Sequence, residues 1–250
     1  MGVITESDGA AGEYEQVEIP AVPDAGGEPA GSVLRRRSPR PSRRAVLYVD
    51  SSGGSCAPAD LARWYTERGF HFYIADLSAH PIPQGRPGLT RFRRRAARRA
   101  RFARLDAACA HLRETDGIDS VVISAHSADA LTVALWCDAR REAEPAGAVI
   151  LSSPAFGGRL RRGLRIACPV LVMCPAGRKA DQAGRRMAGR FRRQRGRRGA
   201  PSVLGHHVTW LSLASGLESP EQAADRRLLF DEMGRWLGAY MYGQVRDQLL

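Results

Sequence analysis

The chain has 250 residues, 44% of them hydrophobic, enough to bury one sizeable core. It has no apolar run near the ~20 residues that a membrane-crossing helix needs, and its start, MGVITESDGAAGEYEQ, lacks a basic region followed by an apolar stretch, so a soluble, cytoplasmic protein is expected. The net charge of +12 is carried by arginine, with Lys179 the only lysine, and such a surface attracts polyanions whatever its role.

Residues 1–12 are polar and rich in Gly and Ala, and are expected to be disordered ahead of a single domain over 13–250. YEQVEIP (14–20) alternates as a strand does, AVPDAGGEPAG supplies turn residues and SVLRRR returns, which predicts a hairpin. RRAVLYVD (43–50) has the short apolar run of a buried parallel strand, followed by the small-residue loop SSGGSCAP and the helical ADLARWYTERGF. FHFYIADL (70–77) is a further strand. The order then repeats: an Arg-rich helix over about 89–114, strand 120–124, helix over about 128–142, strand 146–153, strand 168–174, an Arg-rich helical stretch over 178–199, strand 207–213 and a final helix. The start of that helix, SPEQ (219–222), reads as a Ser N-cap, Pro at N1 and Gln at N3. Strands alternating with helices imply an α/β fold, a mainly parallel central sheet with helices on both faces. The five cysteines are odd in number and lie in apolar segments such as ACPVLVMC, so reduced, buried thiols are expected rather than disulfides.

With these elements in order, the chain resembles the α/β-hydrolase superfamily, in its branch of serine aminopeptidase-like and lysophospholipase-like bacterial hydrolases. The resemblance runs from about Tyr14 to the C-terminus and rests on RRAVLYVD, ADLARWYTERGFHFYIADL, VVISAHSADALTVALW, AVILSSP, CPVLVMC, HVTWLSLASGL and FDEMGRWLGAYM. It implies the α/β-hydrolase fold and places Ser127 at the nucleophile position. The family turn is G-x-S-x-G, in which small neighbours let a serine sit in a strained conformation between strand and helix. Here the turn reads Ala125-His126-Ser127-Ala128-Asp129. The resemblance also implies oxyanion donors at the backbone amides of Ala128 and Ser52, the latter in the loop after LYVD.

The partners of the serine depart from the family. Its histidine belongs to a G-L-H-D pattern, which here is Gly216-Leu217-Glu218-Ser219, so Glu218 stands at the position of the base. A carboxylate is a far weaker base than imidazole at neutral pH. His80, just after a strand's C-terminal end, is a substitute base, while His206 and His207 open the last strand at its far end and His71 and His111 read as packing or surface residues. The orienting acid follows the CPVLV strand in the family, and the candidate here is Asp181. Between AVILSSP and CPVLVMC the family inserts a helical cap, and this chain has only about a dozen residues, AFGGRLRRGLRIA, so the site should be shallow and wet.

The loop SSGGSC lacks the G-x-x-x-x-G-K-[ST] pattern, and no cofactor or metal is expected. Two segments, 86–106 and 184–199, concentrate the arginines. In the first, Phe92, Ala96, Ala103 and Ala107 recur at helical spacing as a buried stripe, which leaves a solvated arginine face. That face is also suited to a polyanion, with Phe102 or Phe191 as stacking groups. The expected function is that of an α/β-hydrolase-like protein with impaired catalysis. The alternatives are a residual Ser127-dependent hydrolase of small or lipid-like carboxylic esters, and an arginine-rich polyanion-binding module.

Overall fold

The structure, a computed structural model, describes residues 14–19, 31–51, 59–77, 87–143, 146–152, 164, 166–175, 208–213 and 223–242. The chain divides into two compact units, Met1–Ser120 and Val121–Leu250.

In the first unit, strands β1 (Glu15–Ile19) and β2 (Gly31–Arg36) form the expected antiparallel hairpin, with Val17 opposite Val33. β2 runs antiparallel to β4 (His71–Asp76), and β3 (Arg44–Asp50) runs parallel to β4, giving the order β1-β2-β4-β3. Helix α1 (Ala59–Glu67) buries Ala62, Trp64, Tyr65 and Thr66. Its Tyr65 ring stacks on Phe72 and meets Phe70 edge-on, at 5.8 and 5.9 Å between centroids, so aromatic area supplies much of this unit's core. Helix α2 (Pro87–Glu114) buries Leu105, Ala108, Cys109 and Leu112, an i, i+3, i+4, i+7 stripe. The sequence placed that stripe further forward. Of its four positions Ala107 is buried as expected, Ala103 is half-buried and Ala96 exposed, and Phe92's side chain lies outside the described residues. The reason is physical: from Arg93 to Arg101 the helix carries nothing apolar larger than alanine, so burial begins where leucine does.

Alternation along β2 points Val33 and Arg35 inward together, which places a guanidinium in the core. Register sets Glu15 on β1 and Tyr73 on β4 directly beside it. Arg35 donates to Glu15 Oε2 at 2.8 Å and to Asp116 Oδ1 at 2.7 Å, and the Tyr73 hydroxyl donates to Asp116 Oδ2 at 2.7 Å. Burial alone would lower the Arg35 pKa, but its two carboxylate partners outweigh it and hold the cation firmly charged. Burial drives the Tyr73 phenol well above its ordinary range, and the bond to Asp116 adds to the shift. Burial would raise Asp116, but donation from Tyr73 and Arg35 leaves its carboxyl below the ordinary 3.8. His111, buried on α2, brings Nε2 to 3.6 Å from Asp116, beyond hydrogen-bond length.

His71 is a packing residue with a defined task. Its Nδ1 accepts the Ser38 amide at 3.1 Å and its Nε2 meets the Ser42 carbonyl at 3.0 Å, so a neutral ring protonated on Nε2 pins the connection from β2 to β3. At Gly31, φ is +96°, a conformation that strains any residue with a Cβ, and the Arg104 guanidinium packs against it while donating to the Ser32 carbonyl.

The second unit is parallel throughout, with β5 (Ser120–His126), β6 (Ala148–Ser152), β7 (Val170–Pro175) and β8 (Val208–Leu213) neighbours in that order. The interior of β5, apolar apart from Ser124, and most of β6 are buried, as strands covered on both faces require. Helix α3 (Ser127–Ala139) buries Ala130, Val133, Ala134, Trp136 and Cys137. Helix α4 (Ala223–Leu237), continued by a π-helical turn over Gly238–Tyr242, buries Leu229, Met233, Trp236 and Leu237. The N-terminal 12 residues, the arginine-rich stretch 178–199 and the SPEQ cap lie outside the described residues. Cys109, Cys137 and Cys168 are free thiols. Burial pushes the Cys109 thiol up to about 12, which makes it an unreactive apolar filler. No helix among the described residues is long and apolar enough to cross a membrane.

The cluster around Asp116 generates a test. Asp116→Asn is expected to cost about 2 kcal/mol in urea denaturation at pH 7, the scale of hydrogen bonds to a buried charge. Because the folded carboxyl titrates below 3.8, its stabilisation is complete above that value and is lost as pH falls through the folded pKa. The gap between the wild-type and variant proteins should therefore hold from pH 7 to 5 and close toward pH 2, and a gap unchanged at pH 2 would contradict the assignment.

Candidate functional site

The candidate site is the junction of β5 and α3. His126 closes β5 in extended conformation, φ −117° and ψ 149°, and α3 begins at the next residue with no loop between them. The reversal is made at Ser127, whose φ is +51°. Among the described residues it is the only non-glycine with positive φ. A side chain in that left-handed region costs about 1–2 kcal/mol, so the surrounding packing has to impose it. On the strand side, Ala125 is buried and pairs in register with Leu151 of β6, and His126 pairs with Ser152. On the helix side, Ala130, Val133 and Ala134 are fully buried. With both flanks fixed, the chain turns sharply at its tip and leaves Ser127 and Ala128 exposed.

This geometry gives the residues different chemical options. The Ser127 side chain is exposed at the start of a helix, a position from which a hydroxyl could attack a carbonyl only if a base took its proton. The Ala128 amide is one of the first-turn donors that no intrahelical carbonyl satisfies, and it is available to an oxyanion beside the serine. Asp129 is different. It occupies the final glycine position of the turn, lies in the first turn of α3 and is only 6% exposed. An acid there is stabilised by the positive end of the helix, and it neutralises part of the field that an oxyanion would use.

Of the other residues singled out in the sequence, Ser52, His80, Asp181 and Glu218 lie outside the described residues, as do His206 and His207. Asp50 ends β3 opposite Asp76 of β4, and its carbonyl accepts the Leu77 amide at 2.7 Å. His71 and His111 have the structural surroundings given above. The burial of Asp129 agrees with its place in the sequence, two residues past the serine, where the turn brings helix close on strand.

No family model matches the chain, and no curated protein matches it either. Solved structures do. Oligopeptidase B from Leishmania major superposes with a TM-score of 0.60 at 15% identity, over 93% of this chain and 37% of that one, so this chain spans little more than a third of that protein. An α/β serine hydrolase without a lid from Xanthomonas campestris gives 0.56 at 12% identity, over 91% and 95% of the two chains. Dienelactone hydrolase from Anabaena variabilis gives 0.58 at 13% identity, over 91% and 99%. This chain has the α/β-hydrolase fold.

If packing imposes the backbone at the junction, removing the Cβ there relieves the chain. Ser127→Gly is expected to raise stability by about 1 kcal/mol, whereas Ser127→Ala is expected to leave it unchanged within about 0.5 kcal/mol. Equilibrium urea unfolding of the three proteins measures both, and a Gly variant less stable than the Ala variant would show that Ser127 is not held in a strained conformation.

Proposed function

We propose that this chain is a serine-hydrolase-like protein of the α/β-hydrolase fold, working in the cytoplasm, in which the nucleophile turn is retained and ester turnover is impaired. The observation that carries the reading is the exposed Ser127 at φ +51° between an extended strand end and a helix start. That backbone makes the reversal from β5 to α3 and, in doing so, presents the hydroxyl to solvent.

The impairment follows from what the sequence puts behind the alcohol. A serine hydroxyl attacks a carbonyl only as its proton passes to a base, and a positioned base contributes about 10²–10⁴ in rate. By resemblance that position holds Glu218, and a carboxyl is a far weaker base than imidazole at neutral pH. The buried Asp129 adds a second penalty, since its charge opposes the developing oxyanion near the Ala128 amide. The short connection between β6 and β7 supports a shallow site, with little exclusion of water from the serine.

The exposure of Ser127 also favours a second reading, a residual hydrolase of small carboxylic esters or lipid-like acyl groups. In it Ser127 attacks, the Ser52 and Ala128 amides receive the oxyanion, Glu218 or His80 takes the proton, and Asp181 orients the base. Dienelactone hydrolase among the structural neighbours supports that substrate class, a lactone being a cyclic ester.

Hydrolysis of p-nitrophenyl acetate at pH 7.5 separates the two readings. The wild-type chain and Ser127→Ala are expected to turn over the ester at the same low rate. Glu218→His is expected to raise kcat/KM at least tenfold, with the gain abolished by adding Ser127→Ala, and Asp129→Asn is expected to raise it several-fold in the Glu218→His background. Wild-type turnover that disappears in Ser127→Ala alone would establish the second reading.

A further inference from the structure

The N-terminal half of α2 is built against the helix's own stability. It begins at Pro87 with no acid in its first turn, and its first acid is Asp106. Cations near a helix N-terminus oppose the macrodipole, and like charges three or four residues apart repel. Arg95 with Arg98, and Arg95 with Arg99, stand at those spacings, and all three are exposed and unpaired with any acid among the described residues. Helical spacing continues the row to Phe102, three residues past Arg99 and four past Arg98, whose ring is half-buried rather than packed away. The row 95, 98, 99, 102 is a single stripe ~10 Å long that carries three exposed guanidinium groups and one half-buried aromatic ring.

The stripe's chemistry selects among polyanions. A lipid surface is met by large apolar side chains opposite the cations, and among the described residues the only large hydrophobic that is exposed is Leu34, on β2. Guanidinium forks fit phosphates bidentately, and an accessible ring among them suits an unpaired base, which duplexes do not present. We propose that Arg95, Arg98, Arg99 and Phe102 bind single-stranded nucleic acid without sequence preference, the arginines on successive phosphates and the ring stacked on a base. This surface is independent of Ser127 and stands whether or not the chain hydrolyses esters.

Fluorescence anisotropy of the full chain with a labelled 20-nucleotide oligothymidylate, and with its duplex, tests the proposal. The triple variant Arg95→Gln, Arg98→Gln, Arg99→Gln is expected to weaken binding at least tenfold at 100 mM salt. It should also flatten the slope of log K against log salt by about two, the share of three phosphate contacts to a single strand. Phe102→Leu, which keeps the buried half of the side chain filled, is expected to weaken the single strand about tenfold and the duplex hardly at all. A matched control, Arg40→Gln, Arg63→Gln, Arg141→Gln, removes three exposed cations elsewhere and is expected to change affinity less than threefold. Circular dichroism melts establish that each variant is folded. Equal weakening by the control, duplex bound as tightly as single strand, or stronger binding to phosphatidylserine vesicles would each overturn the proposal.

Discussion

The backbone of one residue organises the candidate site. β5 is a buried strand and α3 a buried helix, and they meet with no loop between them, so a single residue has to reverse the chain direction. That residue is Ser127, at φ +51°, and the cost of about 1–2 kcal/mol falls on a residue with a Cβ when a glycine would avoid it. The packed flanks, Ala125 against β6 and Ala130, Val133 and Ala134 within the core, supply the force that holds it. Its consequence is the projection of a hydroxyl into solvent beside an unsatisfied helix amide.

Fold and chemistry separate at the next two residues. Backbone donors survive sequence change because every residue but proline carries one, so the Ala128 amide keeps its place whatever its neighbours are. Side-chain charge does not survive in the same way. Asp129 at the final position of the turn is buried in the first turn of α3, where the helix dipole favours an acid, and under the proposed reading an acid there works against an anion forming beside Ser127.

Much of the fold was legible in the sequence because its signals are local. Apolar runs marked β3, β4, β5 and β6, turn residues marked the hairpin, and the strand-serine-helix pattern around Ser127 marked the junction whose strained backbone the structure displays. What was not legible depends on distance. Arg35 and Asp116 are 81 residues apart, and nothing in either neighbourhood announces that register places Glu15, Arg35 and Tyr73 in a row with Asp116 closing it. α2 shows the complementary failure. Its alanines have helical spacing from Ala96 onward, but alanine buries too little area to fix a face, and the core stripe follows Leu105 and Leu112. At the site, the roles of Ser127, Ala128, Ser52, Glu218 and Asp181 stand on resemblance and that of His80 on its place after a strand end, while the structure adds the backbone of Ser127 and the burial of Asp129.

The most direct measurement of the central claim is the rate at which a fluorophosphonate modifies Ser127 in the native chain, followed by intact-protein mass and by peptide mapping. A retained turn without an effective base predicts that the native protein acquires no adduct at Ser127 within hours at pH 7.5, and that Glu218→His acquires one equivalent on that residue. Stoichiometric modification of Ser127 in the wild-type chain within minutes would contradict the account and identify a working nucleophile.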